Sequence, residues 1–576
     1  MAGLHPAVRE RLTSLNKLDS AAVNCFKRCM KTTTRRSPDF FAAVLVAAFV
    51  LGNHEVFSEE TNALPIIVNP GVEPVATGKF QPTWESLKQY QVPGWFRDAK
   101  FGIWAHWGPQ CEPEDGDWYG RNMYVPGSAQ NKFHIAHYGS PSQFGFKDVI
   151  HEWKAENWDP EKLLALYQRA GAQYFFALAD HHDNFDNWDS KYQPWNSVKV
   201  GPHKDLIGGW AKAARDHGLR FGVSVHATHA WTWYEPSQKF DGKLTKADGA
   251  GQWWDGLDPQ DLYAQNHEPG KIQNMGRTWN WPTNGDCNLP DAAYCQKFYN
   301  RTIDLIDRYH PDLIYFDDTV LPLYPVSDAG LKIAAHFYNR SLQWHGPQDN
   351  GVLFGKALNE EQRRCMVWDI ERGAANEIEP LSWQTDTCLG DWHYDRKIFE
   401  NHRYKNVRTV VQTLADVVSK NGNLLLSVPV RADGTIDSDE IAVVEGIAKW
   451  MKVNRECIFG TRPWQVFGEG PASMGTPING AGFNEGKGKP LTAADFRFTV
   501  KGDTLYAIEL GWPTNGLSIR SLGQSAHLPG KSIGKIKLLG SGEKIRWQQN
   551  ADALVIAQPK NQPNDFAIVF KITMKK

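Results

Sequence analysis

The sequence predicts an α/β fold, a (β/α)8 TIM-like barrel over residues 83–459, followed by a C-terminal antiparallel β-sandwich over residues 460–576. Three observations carry this. Short apolar runs without alternation, the pattern of parallel strands covered on both faces, take turns with stretches of helical apolar spacing. Polar groups recur where those runs end, at His106, His181-His182, His226, Asp317 and Glu371. The C-terminal strand ends of a barrel are where its chemistry sits. After Phe459 the helical periodicity stops, and short strand-like pieces are broken by Gly, Asn and Pro.

Residues 1–60 stand apart as a leader and secretory signal. Phe40 to Gly52, FFAAVLVAAFVLG, is a 13-residue apolar run behind Lys31 and Arg35-Arg36. A basic flank, a short apolar core and a polar exit describe an export signal, and the run is short for a membrane span. Met30 opens MKTTTRRSPDFF, an ordinary signal start, which leaves residues 1–29 as an over-extended gene start or a disordered leader. The competing reading is an uncleaved anchor. An exported protein, periplasmic or extracellular and without a stable membrane partner, is the expectation.

Residues 61–82, rich in Pro and Val, read as a linker or leading strand. Lys100–Ala105 is the first expected barrel strand and runs into His106-Trp107-Gly108. Pro160–Ala170 carries helical spacing at Leu163, Leu164, Leu166 and Tyr167, and Gly171 stops it. Gln173–Ala179 is a strand ending in Asp180-His181-His182-Asp183. Lys204–His217 is a helix stopped by Gly218, and Leu219–Val225 a strand leading to His226. Cys295–His310 is a helix stopped by Pro311, and Leu313–Phe316 a strand ending on Asp317 and Asp318. Strands at Val352–Gly355, Val367–Ile370 and Leu424–Val428, with helices at Ala329–His345, Asn406–Lys420 and Glu440–Val453, continue the alternation. Such βα units imply a parallel sheet. No GxGxxG follows the first strand and no GxxxxGK[ST] occurs, so nucleotide folds lose support. In the last domain, strands are expected at Phe496–Val500, Thr504–Glu509, Ser532–Leu538, Lys544–Gln548, Ala553–Ile556 and Ala567–Thr573.

Charge and composition narrow the partners. The chain has 63 basic and 65 acidic side chains and no long run of one sign, which argues against nucleic acid. Its 24 Trp, 28 Phe and 18 Tyr serve mainly as core, yet they suit a protein offering flat apolar faces to sugar rings. Of eight Cys, Cys25 and Cys29 fall in the leader, and the spacing of Cys287 and Cys295 permits a disulfide closing a short loop, with the pairing left open. Cys111 begins CEPED, which lacks the Arg of a sulfatase nucleophile motif. No CxxC or HExxH occurs, and adjacent ligands in His181-His182-Asp183 are awkward for an ion, so no metal or other cofactor is expected.

Several blocks, in order, resemble glycoside hydrolase family 29, the retaining α-L-fucosidases. They are FGIWAHWG (101–108), YFFALADHHDNF (174–185), WDSKYQPWNSVKVGP (188–202), KDLIGGWAKAARDHGLRFGVSV (204–225), PDLIYFDD (311–318), WQTDTCLGDWHY (383–394) and VSKNGNLLLSVPVRADGTI (418–436). The resemblance implies an exo-acting enzyme that releases terminal α-L-fucose, or a close relative, by double displacement. It places the nucleophile on Asp317. Adjacent strand residues point to opposite sides, so Asp318 is expected to make a structural hydrogen bond. Glu371 stands 12 residues before Trp383, much as the family's acid precedes its late block, with Glu377 and Glu379 as alternatives. His106, His181 and His182 resemble partners of the ring hydroxyls, and Tyr315, Trp118 and Tyr119 are candidates to stack on the sugar. The chain departs from the family after the fourth strand, where Ser224-Val225-His226 replaces a tyrosine pair. In the family that region lies near the sugar's C4–C6 edge, so His226 makes an oxygen at C6, and hence an α-L-galactosidase, credible. A catalytically inactive sugar-binding protein and a metal hydrolase are the readings from other classes.

Overall fold

Residues 64–346, 350–473, 482–513, 516–526 and 532–575 are described by a computed structural model. The leader assigned to residues 1–60 lies outside them. Eight parallel strands close in chain order: β1 (Phe101–Ala105), β2 (Tyr174–Asp180), β3 (Arg220–Val225), β4 (Leu313–Phe316), β5 (Val352–Gly355), β6 (Val367–Glu371), β7 (Trp383–Cys388) and β8 (Gly422–Ser427). The ring shuts where Phe101 to Trp104 pair with Leu424 to Ser427.

Seven of these strands fall where the apolar runs predict them. The eighth, β7, reads WQTDTC and has no apolar run. Its polar side chains are buried all the same, because neighbouring strands and the barrel interior enclose them.

The helices obey local rules at their ends. α1 (Pro160–Arg169) begins with Asp159 accepting from Lys162 N and with Pro160 in the first turn, where a missing N–H costs nothing. α2 (Leu206–Asp216) is capped by Asp205, and α3 (Ala292–Tyr309) by Asp291. α3 ends with His310 in the left-handed region, at φ 48°, and Pro311 bars any continuation. α4 (Ala329–His345) follows β4, α5 (Val407–Ser419) is capped by Asn406, and α6 (Ser438–Asn454) starts with a capping box formed by Asp437 and Glu440.

The barrel interior is a filled core. Phe96, Trp104, Tyr174, Phe176, Leu313, Tyr315, Phe354 and Leu425 form one buried cluster. Gly102 makes room for it, since a Cβ there would stand 2.1 Å from the Tyr174 ring. The Tyr174 hydroxyl of this cluster donates to Gln384 (2.9 Å), and Gln384 donates to Asp369 (2.9 Å). Burial, with Asp386 nearby, holds the Asp369 carboxyl well above its ordinary range.

The C-terminal region forms a five-stranded antiparallel sheet and a three-stranded one over a second core that includes Phe498, Ile519, Leu554 and Phe570. The strands are β9 (Arg462–Glu469), β10 (Phe496–Lys501), β11 (Thr504–Glu509), β12 (Leu517–Ile519), β13 (Ser532–Leu538), β14 (Trp547–Gln549), β15 (Leu554–Ile556) and β16 (Ile568–Lys575). β9 and β12 were absent from the expected set. The Cys287–Cys295 bridge that the spacing permits does not form, as both thiols are free and buried.

A buried charge cluster ties the sandwich to the barrel. Asp416 on α5 accepts from Arg497 Nε of β10 (2.5 Å) and pairs with Lys420 (2.8 Å). Burial alone would raise the Asp416 carboxyl, but the two cations outweigh it and bring it to about 2. A depressed carboxylate stabilises the fold above its unfolded pKa, and that contribution fades as pH falls toward 2. Asp416→Ala is expected to cost on the order of 3–5 kcal/mol at pH 7, because two buried cations lose their partner. Calorimetric melting checks this, and an unchanged Tm would contradict it.

Candidate active site

The strand ends open into a cavity of about 480 Å³. Asp317 stands just past β4, Glu371 ends β6, and Lys356 follows β5. The Lys356 ammonium donates to both Asp317 Oδ1 and Glu371 Oε2. Two N–H···O bonds of about 2.9 Å place two such oxygens within about 6 Å of each other. Paired carboxylates about 5–5.5 Å apart serve retaining glycoside hydrolysis, whereas about 6.5–9.5 Å serves inversion. The bridge therefore favours the retaining arrangement.

The two carboxylates are driven apart electrically. Burial would raise Asp317, but Lys356, together with His182 and His226, holds it well below the usual carboxylate range. Burial pushes Glu371 up to about 7; Lys356 opposes the rise, while Asp317 and Asp386 add to it. Asp386, paired in register with Glu371 across β6 and β7, is itself pushed up to about 6 by burial. One permanently ionised carboxylate beside one protonatable carboxyl is the division of labour that double displacement requires.

Histidines surround this pair. His182 Nδ1 donates to the His226 carbonyl (2.8 Å), and its Nε2 lies 3.1 Å from Asp317 Oδ2. His226 Nδ1 lies 3.2 Å from the same oxygen. Burial brings His226 down to about 4 against the pull of Asp317, so it is neutral at pH 7. Burial, with the neighbouring histidines, also holds His106 and His181 well below 6.5. His181 Nδ1 meets Gln110 at 2.6 Å, and His393 Nδ1 meets Asp117 at 2.6 Å. Ring nitrogens of His106, His181 and His393 lie within 4.8 Å of one another, as do those of His181, His182 and His226. Among the described residues, these two trios have the donor atoms and spacing to hold a divalent ion.

The structure brings together most of the residues singled out from the sequence. His106, His181, His226, Trp118, Tyr315, Asp317 and Glu371 all line the cavity, and His182 backs it through Asp317. Two expectations need correction. Tyr119 does not face the cavity: its ring is fully buried and its hydroxyl is bonded to His134 (2.8 Å). Asp318 is not turned away. It does make the expected structural hydrogen bond, accepting from Thr319 N through Oδ1, but Oδ2 has no partner and the residue lines the cavity beside Asp317. The strand ends at Phe316, so strict alternation no longer governs Asp318. His226 lines the cavity and sits against Asp317. Of the alternative acids, Glu379 is paired with Arg363 (2.6 Å) and Glu377 is exposed on the surface.

Lys356, Asp386, Trp279, Trp392, His393 and Phe483 complete the surroundings without having been singled out. No local pattern marks Lys356, which follows a four-residue strand. Trp279 comes from the long segment between β3 and α3, and Phe483 from beyond the barrel. Phe483 N donates to the Glu371 carbonyl (2.7 Å), and Glu485 pairs with Arg372 (3.5 Å) and Lys405 (2.9 Å). The 482–485 segment is thereby fastened over β6 and β7.

Comparison with known proteins agrees with this geometry. The family model described as alpha-L-fucosidase matches residues 69–456, and that of the alpha-L-fucosidase C-terminal domain matches 489–573. Human tissue alpha-L-fucosidase is 26% identical over 509 residues, covering 86% of this chain and 91% of the relative. An alpha-L-fucosidase of Branchiostoma floridae is 27% identical over 482 residues, covering 81% and 89%. A solved Thermotoga maritima alpha-fucosidase, in complex with a mechanism-based inhibitor, superposes with TM-score 0.65 at 26% identity, covering 86% of this chain and all of that one. Barrel, sandwich and paired carboxylates together define a glycoside hydrolase. The chain belongs to the α-L-fucosidase family, glycoside hydrolase family 29.

Proposed function

We propose that this chain is an exported, retaining exo-α-L-fucosidase that removes terminal α-L-fucose from oligo- or polysaccharides. The observation that carries the assignment of roles is the Lys356 bridge between an ionised Asp317 and a Glu371 raised to about 7. Asp317 attacks the anomeric carbon as Glu371 gives its proton to the departing glycosidic oxygen, leaving a fucosyl ester on Asp317. Glu371, now a carboxylate, takes a proton from water as that water attacks the same carbon and frees Asp317. His106 and His181, neutral and inside the cavity, hold sugar hydroxyls, with Trp118 and Tyr315 alongside. Each step uses only side chains and water.

Export rests on the Phe40–Gly52 run, and among the described residues no helix is long and apolar enough to cross a membrane. The division into a leader (1–60), a linker (61–82), a catalytic barrel (83–459) and a sandwich (460–576) belongs to the same reading. Hydrolysis of an aryl α-L-fucoside followed by ¹H NMR tests it. α-L-Fucose as the first-formed anomer is the expected product, and β-L-fucose would contradict it.

Lys356→Met provides a second check. Without the ammonium, Asp317 loses the cation that depresses it and Glu371 loses the one opposing its rise. Both limbs of the pH profile of kcat/KM are expected to move to higher pH, and kcat to fall by about 10²-fold or more. A profile that keeps both limbs in place would separate Lys356 from the reaction.

A further inference from the structure

The C-terminal domain carries a cleft of about 490 Å³ that hydrolysis does not use. Glu509, the last residue of β11, lies in it and is 1% exposed. Its Oε2 has no hydrogen-bond partner. A buried unpaired oxygen is costly, and native chains keep few of them without a reason. Trp512 forms the half-buried wall, with Phe496 and Leu517 behind it in the sandwich core and Ser518 at the exposed rim.

The chemistry of this cleft is selective. Burial alone acts on the Glu509 carboxyl and raises it to about 9, so at neutral pH it carries a proton. A neutral carboxyl donates one hydrogen bond and accepts another, which is also what a hydroxyl does. An anionic ligand would find no cation among the described residues that line the cleft, and a purely apolar one would leave Oε2 unpaired. An indole beside a hydrogen-bonding group accommodates a pyranose ring, with an apolar C–H face and hydroxyls at its rim.

We propose that this cleft is a second carbohydrate site, holding one neutral saccharide unit of a glycan against Trp512 with a hydroxyl exchanging hydrogen bonds with Glu509. It anchors the polymer while the barrel acts on its ends. The claim stands apart from the fucosidase reading, since it concerns a different ligand surface.

The test uses the full chain in affinity electrophoresis and calorimetric titration, with defucosylated xyloglucan as the neutral probe and a sulfated fucan as the anionic contrast. Hydrolysis of an aryl α-L-fucoside in the same preparations reports the barrel independently. Wild type is expected to bind the neutral glycan. Trp512→Ala and Glu509→Leu are expected to weaken that binding at least 10-fold and leave aryl-fucoside kcat/KM unchanged. Ser518→Trp, at the exposed rim, fills the cleft without entering the core and is expected to do the same. Absence of neutral-glycan binding by wild type, or retention of it within two-fold in Trp512→Ala and Ser518→Trp, overturns the proposal.

Discussion

Asp317→Asn is expected to lower kcat on an aryl α-L-fucoside by about 10⁴-fold or more, with little change in melting temperature. Asparagine fills the same space, but its amide oxygen cannot form the fucosyl ester. Lys356 keeps its bond to Glu371, so the cavity does not gain an unpaired cation. The variant therefore separates chemistry from folding. Asp317→Gly sharpens the result, since it leaves room for azide where the carboxylate stood. Added azide is expected to restore turnover and to yield β-L-fucosyl azide, formed by a single displacement. Activity of Asp317→Asn above a tenth of wild type would remove Asp317 from its role.

Glu371→Ala is expected to act according to the leaving group. A 2,4-dinitrophenyl fucoside needs no proton to depart, so its kcat/KM stays near wild type while kcat falls, because the ester then waits for water without a base. An oligosaccharide needs that proton, and its kcat/KM is expected to fall by about 10²–10⁴-fold. Azide, which needs no base, is expected to accelerate the second step. The alkaline limb that Glu371 sets near pH 7 should vanish with it. In wild type the protonated form of Glu371 is lost as pH rises through its pKa, so activity falls on that side. Equal losses on both substrates would mean that Glu371 holds the site together and does not move a proton.

The barrel was legible because its strands are buried on both faces and read as apolar runs, LIYF at β4 most plainly. The one hidden strand, β7, is buried too, but its Gln384 donates to Asp369 inside the barrel and its Thr385 to the Ile370 and Gly373 carbonyls on the other face, so hydropathy does not mark it. Asp317 was singled out through the likeness of PDLIYFDD to the family's nucleophile strand, since a carboxylate ending an apolar run serves equally well as a cap or an ion-pair partner. Lys356 was not, because its importance arises from closure of the barrel, which sets the end of β5 between those of β4 and β6. The facing of Tyr119 and of Asp318 was missed for a common reason. Spacing along the chain ranks residues near a site, but loop conformation decides which way each one turns. Trp118 takes a left-handed backbone, at φ 60°, just where the short helix carrying Tyr119 begins. Phe483 was out of reach of any barrel motif, since it arrives from another domain by backbone bonds to Glu371.

The account stands most directly on a covalent bond to one side chain. The full chain is to be incubated with 2-deoxy-2-fluoro-α-L-fucosyl fluoride, which forms the ester faster than water releases it, digested, and mapped by mass spectrometry. The account predicts a single added fluorofucosyl group on Asp317, in the tryptic peptide that starts at Tyr309. A label on any other residue, or inactivation without a covalent adduct, would contradict it.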